Sequence, residues 1–135
     1  MRVLIPFTVR DSNLISSTIP ENDYPVWSSG TSYVSGDLVI STVTHRIYEA
    51  LQSSTNVDPT TDTSDPPFWL NIGATNRWRA FDQKIGNPVT VADGVNIINY
   101  ELGNFGIPSN SVTLFGLKGR VATLIVSDAT DGEVY

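Results

Sequence analysis

Residues 27–73 read WSSGTSYVSGDLVISTVTHRIYEALQSSTNVDPTTDTSDPPFWLNIG, and two short runs of β character stand in their first half. Asp37-Leu38-Val39-Ile40 follows Gly36, and Arg46-Ile47-Tyr48-Glu49-Ala50-Leu51 follows the hinge Thr44-His45, so the spacing predicts a hairpin. Alternation along the strands puts Val39 on one face with Tyr48 and Ala50 opposite it. Trp27, Tyr33 and the closing pair Phe68-Trp69 are available to wrap that hairpin. Large rings are how a module this short gathers enough apolar area to fold.

The whole chain has 135 residues, room for one ordinary domain or two very small ones. Charged residues make up 16% and hydrophobic ones 40%, the balance of a globular protein rather than a disordered one. A formal charge of -6 disfavours tracking of a phosphate backbone, so no nucleic-acid partner is expected. No apolar run approaches the roughly 20 residues of a membrane span, so no membrane insertion is expected. The opening MRVLIPFTVR has no long apolar region or small-residue cleavage site, and does not read as a signal peptide. Without cysteines there are no disulfides to staple a small core, which makes neighbours in an assembly a source of stability.

Taken in order, residues 1–26 read as an extended arm and linker. Arg2–Val9 is an apolar run that Pro6 restricts to an edge strand or a docking arm. Residues 11–24 are polar with isolated anchors at Leu14, Ile15 and Ile19, which predicts a linker running over a surface. Within the module, residues 52–67 form a long loop of Ser, Thr, Asn, Asp and Pro. Its Asp58, Asp62 and Asp65 lack the spacing and closing Glu of a calcium loop, and read as solvated carboxylates; no metal or other cofactor is expected.

Residues 74–88 form a connector in which Thr75 or Asn76 is placed to cap a short helical turn. Trp78 and Phe81 stand three apart, with Ile85 a turn later. Arg77, Trp78 and Arg79 either pack and pair locally or offer an Arg-Trp surface for partner docking. Residues 89–135 carry β runs at Val95–Leu102, Ser111–Leu117 and Arg120–Ser127, with Asp131-Gly132 as a turn and Val134-Tyr135 opening another strand. They read as an antiparallel β-sandwich either interrupted before it closes, the favoured reading, or completed by strands of another subunit. The expected fold is therefore mainly β: a small aromatic-rich three-stranded module over 27–73, one short helical turn, then the start of a sandwich.

The pattern on Trp27, Tyr33, Gly36, Asp37, Val39, Tyr48, Ala50, Pro59 and Trp69 resembles the small chitin-binding modules of bacterial chitinases and cellulases, the carbohydrate-binding type 5/12 group. The wider arrangement brackets this module between Pro20-Glu21-Asn22-Asp23-Tyr24 and Asn76-Arg77-Trp78, and ends in a β-rich segment with SVTLFGL. In this it is similar to tail-tip and baseplate virion proteins of long-tailed bacteriophages. That resemblance implies a phage-tail location after synthesis in the host cytoplasm, other tail proteins as partners, and homo-oligomerisation around the tail axis.

Nothing in the sequence points to chemistry. The one histidine, His45, stands at the hairpin hinge, and no nucleophile elbow, zinc-helix motif or phosphate-cradling loop occurs. Asp37 and Glu49 read as a turn residue and a solvent-face residue rather than paired acids. Two non-enzymatic roles follow. In one, the module docks to neighbouring tail proteins. In the other, it binds host cell-surface polysaccharide by stacking sugar faces on exposed rings. The contact residues in either case are Tyr24, Trp27, Tyr33, Phe68 and Trp69, with the entrance pair Tyr24 and Trp27 and the exit pair Phe68 and Trp69 expected to be partly exposed.

Overall fold

The structure is a computed structural model that describes residues 7–84, 86–92, 97–103, 121, 123–125, 127–128 and 132–133. The protein is mainly β, with antiparallel sheets and one short helix. Strands β1 (Leu14–Ser17), β2 (Ser32–Tyr33), β3 (Leu38–Ser41), β4 (Arg46–Ala50), β5 (Ser54–Thr55) and β6 (Trp69–Ala74) precede a 3-10 helix over Asn76–Phe81. Strands β7 (Tyr100–Leu102), β8 (Ser127–Asp128) and β9 (Gly132–Glu133) follow.

The predicted hairpin is β3 and β4, in register Val39 to Tyr48 and Ile40 to Ile47, and β6 joins β4 as the third strand. Directly opposed residues share a face. On one face Tyr33, Val39, Tyr48, Ala50 and Trp69 form the buried core, with Trp27, Val57 and Phe68 packed on its margin. On the other face Ile40 and Ile47 are buried as a cross-strand pair. A type II turn feeds β3: Asp37 N–H donates to Val34 O at 3.0 Å with Gly36 at φ 94°, a backbone setting that favours glycine. The Asp37 carboxylate accepts from Val34 N–H at 2.7 Å, which confirms it as a turn residue.

Both outer strands of this sheet are covered along part of their length. Ile40 of β3 exchanges bonds with the incoming chain, donating to Pro25 O at 3.0 Å and accepting from Trp27 N–H at 3.0 Å. On β6, Trp69 N–H goes to the Asp62 carboxylate at 3.1 Å and Gly73 N–H to Asn71 Oδ1 at 3.1 Å. Side-chain oxygens thus occupy donors that could otherwise template another strand.

Two expectations need correction. The stretch 11–24 runs over the surface with most of its residues exposed, but it is more than a linker: it contains β1, paired antiparallel with β7, and buries Asn13 and Ile19. The pairing was hidden because three of its polar residues, Asn13, Glu21 and Asp23, bond to distant protein groups. The loop 52–67 is also structured, because β5 pairs with β2 and Asp58 and Asp62 accept from backbone donors, while Asp65 is exposed as expected. Asp58 accepts from Thr60 N–H at 2.8 Å; Asp62 accepts from Ser64, Phe68 and Trp69 N–H groups at 3.0, 2.7 and 3.1 Å. The predicted runs at Ser111–Leu117 and Val134-Tyr135, Ile85 and the first six residues of the arm lie outside the described residues, as do Arg120, Ala122 and Val126; of the rest of the predicted Arg120–Ser127 run only Ser127 is in a strand, and the sandwich is not observed among the described residues.

Burial by itself pushes the Asp62 carboxyl up, but the hydrogen bonds from Ser64, Phe68 and Trp69 outweigh it and hold the group below its ordinary value. A depressed carboxyl stabilises the fold above its unfolded-state value of about 3.9, and that contribution is lost as pH falls through the lower folded value. Asp62→Asn is therefore expected to lower the melting temperature at pH 7, with the gap to the natural chain closing as pH drops below about 4. Paired thermal melts from pH 7 to pH 2 check this; a gap independent of pH would refute the role given to Asp62.

Candidate functional site

The five aromatic contact candidates separate into two groups. Tyr33 and Trp69 are buried, with rings edge to face at 5.1 Å and 72°. Their polar ends are satisfied internally: Trp69 Nε1–H donates to Val57 O at 2.9 Å, and Ser28 N–H donates to Tyr33 Oη at 2.8 Å. Trp69 was expected to be partly exposed, and the structure corrects this; with so few strands, the core needs the ring more than a ligand does. Trp27 and Phe68 are half-buried at the edge of the same core, and Tyr24 is 38% exposed. Of the entrance and exit pairs, one ring is open and two are partly so.

The docking trio is turned inward. Trp78 is buried and stacks on His45 with ring centroids 3.9 Å apart and planes at 19°. Arg77 Nε donates to Ile19 O at 2.7 Å; Arg79 Nε donates to Ala74 O at 3.4 Å and its Nη2 lies 3.7 Å from Asp23. This is the local packing and charge pairing that the sequence left as one of two options. The aromatic ladder then continues from Trp78 to Phe81 at 5.9 Å and from Phe81 to Tyr100 at 5.1 Å, both edge to face. It couples the hairpin tip to β7.

What the sequence did not reveal is the polar node that positions this ladder. His45 occupies the left-handed region at φ 55°, uncommon for a side-chain-bearing residue though less so for histidine. Its Nδ1 faces both oxygens of Glu21, at 3.0 and 3.2 Å, and since a carboxylate only accepts, Nδ1 carries the proton. The Glu21 side chain is 7% exposed and also accepts from the Thr75 hydroxyl at 2.9 Å. Two residues on, Asp23 accepts from Asn76 N–H at 2.9 and 3.2 Å. The helical turn is thus capped across the fold by Asp23, whereas Thr75 makes no side-chain cap bond because its hydroxyl is committed to Glu21.

The segments Pro20–Tyr24 and Asn76–Trp78, noted in the sequence as flanking motifs, are therefore two halves of one interlock. Spacing could not show it, because the bonded residues are 53 and 54 positions apart. Nearby, burial pushes the Tyr100 phenol up to about 12, opposed by Arg77 and Ser17. Its hydroxyl donates to Arg77 O at 2.9 Å.

Searches against protein-family models, curated proteins and solved structures return no match for this chain. Among the described residues no group of three or more His, Asp or Glu side chains is arranged to hold a metal ion, and no helix is long and apolar enough to cross a membrane.

Removing a buried, paired carboxylate strands its partners, a loss of about 3 kcal/mol. Glu21→Ala is expected to destabilise the chain by that amount and to abolish the His45–Trp78 stack, read as a change in near-ultraviolet circular dichroism and in chemical denaturation. A raised phenol stabilises below its unfolded-state value of about 10 and loses that contribution as pH rises toward about 12. Tyr100→Phe should flatten the alkaline limb of stability between those values; an unchanged limb in a pH titration of the melting temperature would contradict the assignment.

Proposed function

We propose that this chain is a non-catalytic docking component of a phage tail tip or baseplate, held among neighbouring tail proteins. One observation carries the reading: Tyr33 and Trp69, two of the five rings suited to sugar stacking, are spent in the core and Trp27 and Phe68 are half-buried on its margin, while aliphatic side chains are left outside. Leu38, Glu49 and Leu70 are in register on the face away from the aromatic core, and Leu51 continues that face two residues beyond Glu49. Leu51 and Leu70 are 41% and 47% exposed. Aliphatic surface of this kind favours a protein neighbour over a hydrated sugar, whose recognition needs flat rings and directed polar groups. The phage setting rests on the resemblance of the flanking motifs.

A second reading, host-glycan recognition, is favoured by Trp27. Its half-buried ring borders the core and leaves part of its surface outside. Ring repetition around a tail axis would raise a weak sugar contact by avidity.

Leu51→Asp with Leu70→Asp changes only exposed side chains, and is expected to leave the melting temperature within about 1 kcal/mol of the natural chain in stability. It should also prevent incorporation into particles, assayed by antibody labelling of purified virions. Normal incorporation of the variant, or absence of label from the tail tip with the natural chain, would overturn the docking reading. Titration with chitooligosaccharides tests the second: quenching of tryptophan fluorescence that Trp27→Phe removes supports it, and an unchanged spectrum ends it.

A further inference from the structure

The root of the N-terminal arm, residues 8–11, and the hairpin tip, residues 43–46, line one open cleft beside the interlock. An ion pair joins them, Asp11 Oδ1 to His45 Nε2 at 3.0 Å. Its two ends are held very differently. His45 is anchored: its carbonyl accepts from Thr75 N–H at 3.0 Å, its ring stacks on Trp78, and its Nδ1–H is committed to Glu21. Asp11 has a side chain 75% exposed, and it stands before the point where Asn13 fixes the chain to the end of β7 by accepting from Gly103 N–H at 2.9 Å.

With the Nδ1 proton spent on Glu21, a neutral ring turns a lone pair toward Asp11, and a carboxylate has only lone pairs to offer in return. Two acceptors 3.0 Å apart repel, and Nε2 is buried with no hydrogen-bond partner among the described residues. A proton on Nε2 reverses the sign. The imidazolium then lies between two carboxylates, Glu21 on one nitrogen and Asp11 on the other, over the face of Trp78 with centroids 3.9 Å apart. The other charges around the ring do not oppose this. Arg10 and Arg46 line the cleft but are matched in number by Asp11 and Asp82, and Asp23 on the strap lies 3.7 Å from Arg79.

We propose that His45 and Asp11 form a pH-sensitive latch, in which a proton on Nε2 ties the arm root to the hairpin tip and its loss frees residues 8–11 while Glu21 keeps the ring in place. The hold is present at the acidic end and is lost as pH rises. Histidine changes charge between pH 5 and 8, and this chain has one histidine and no cysteine to share that interval. The latch is independent of the docking face at Leu51 and Leu70.

The test measures ¹⁵N backbone order parameters of the full chain at pH 5 and pH 8. For residues 8–11 of the natural chain they are expected to fall from about 0.85 to below about 0.6, while those of β3 and β4 do not change. Asp11→Ala removes the latch and should give low values at both pH values. Asp11→Asn should give high values at both, because an amide accepts from the protonated Nε2 and donates to the neutral one. Both variants change a side chain outside the core, so the fold is kept. Equal order at the two pH values in the natural chain, a pH response that survives in Asp11→Ala, or loss of order at pH 8 in Asp11→Asn would each overturn the proposal.

Discussion

Two buried carboxylates, Glu21 and Asp23, hold the parts of this chain in their relative positions. An ionised carboxylate leaves water only where donors replace the lost hydration. Here the donors come from the hairpin tip (His45), the end of β6 (Thr75) and the first turn of the 3-10 helix (Asn76), with Arg79 close to Asp23. Each carboxylate is therefore satisfied only when those elements stand together. The His45 ring, fixed by Glu21, gives Trp78 its stacking partner. From Trp78 the ladder through Phe81 reaches Tyr100 and the β1–β7 pair.

The same logic operates at smaller scale in the loop 52–67. Asp62 takes the N–H groups of Phe68 and Trp69, so the ring of Trp69 enters the core with its backbone already satisfied. In so small a module the polar bonds do not supply bulk stabilisation; that comes from the Tyr33, Tyr48 and Trp69 cluster. Their contribution is specificity, because a core with few side chains has other ways to pack.

The hairpin, its register and its aromatic core were legible because they obey local rules: alternation over Leu38–Ile40 and Ile47–Ala50, and a glycine where the turn needs positive φ. The helical turn at Trp78 and Phe81 was legible from spacing, though not its cap, since that comes from Asp23 across the fold. Residues 11–24 were misread for the same reason. Ser, Asn, Glu and Asp signal solvent when their partners are unknown, and here the partners of Asn13, Glu21 and Asp23 lie 24 to 90 residues away. The exposure of individual rings was equally hidden, because one-dimensional pattern does not say which of several aromatics a small core will claim.

The distance along the chain between the two halves of the interlock bears on the order of folding. The hairpin closes over a four-residue turn and its third strand pairs 19 to 28 positions away, whereas joining Glu21 to Thr75 closes a loop of more than fifty residues. Loop-closure entropy makes such a contact late. The sheet would be in place before the strap from Ile19 to Asp23 is recruited, and His45 would have no fixed ring orientation until then. An excised fragment of residues 27–73 would retain the early-forming sheet while lacking the late strap, so the boundaries of the aromatic motif are not those of the cooperative unit.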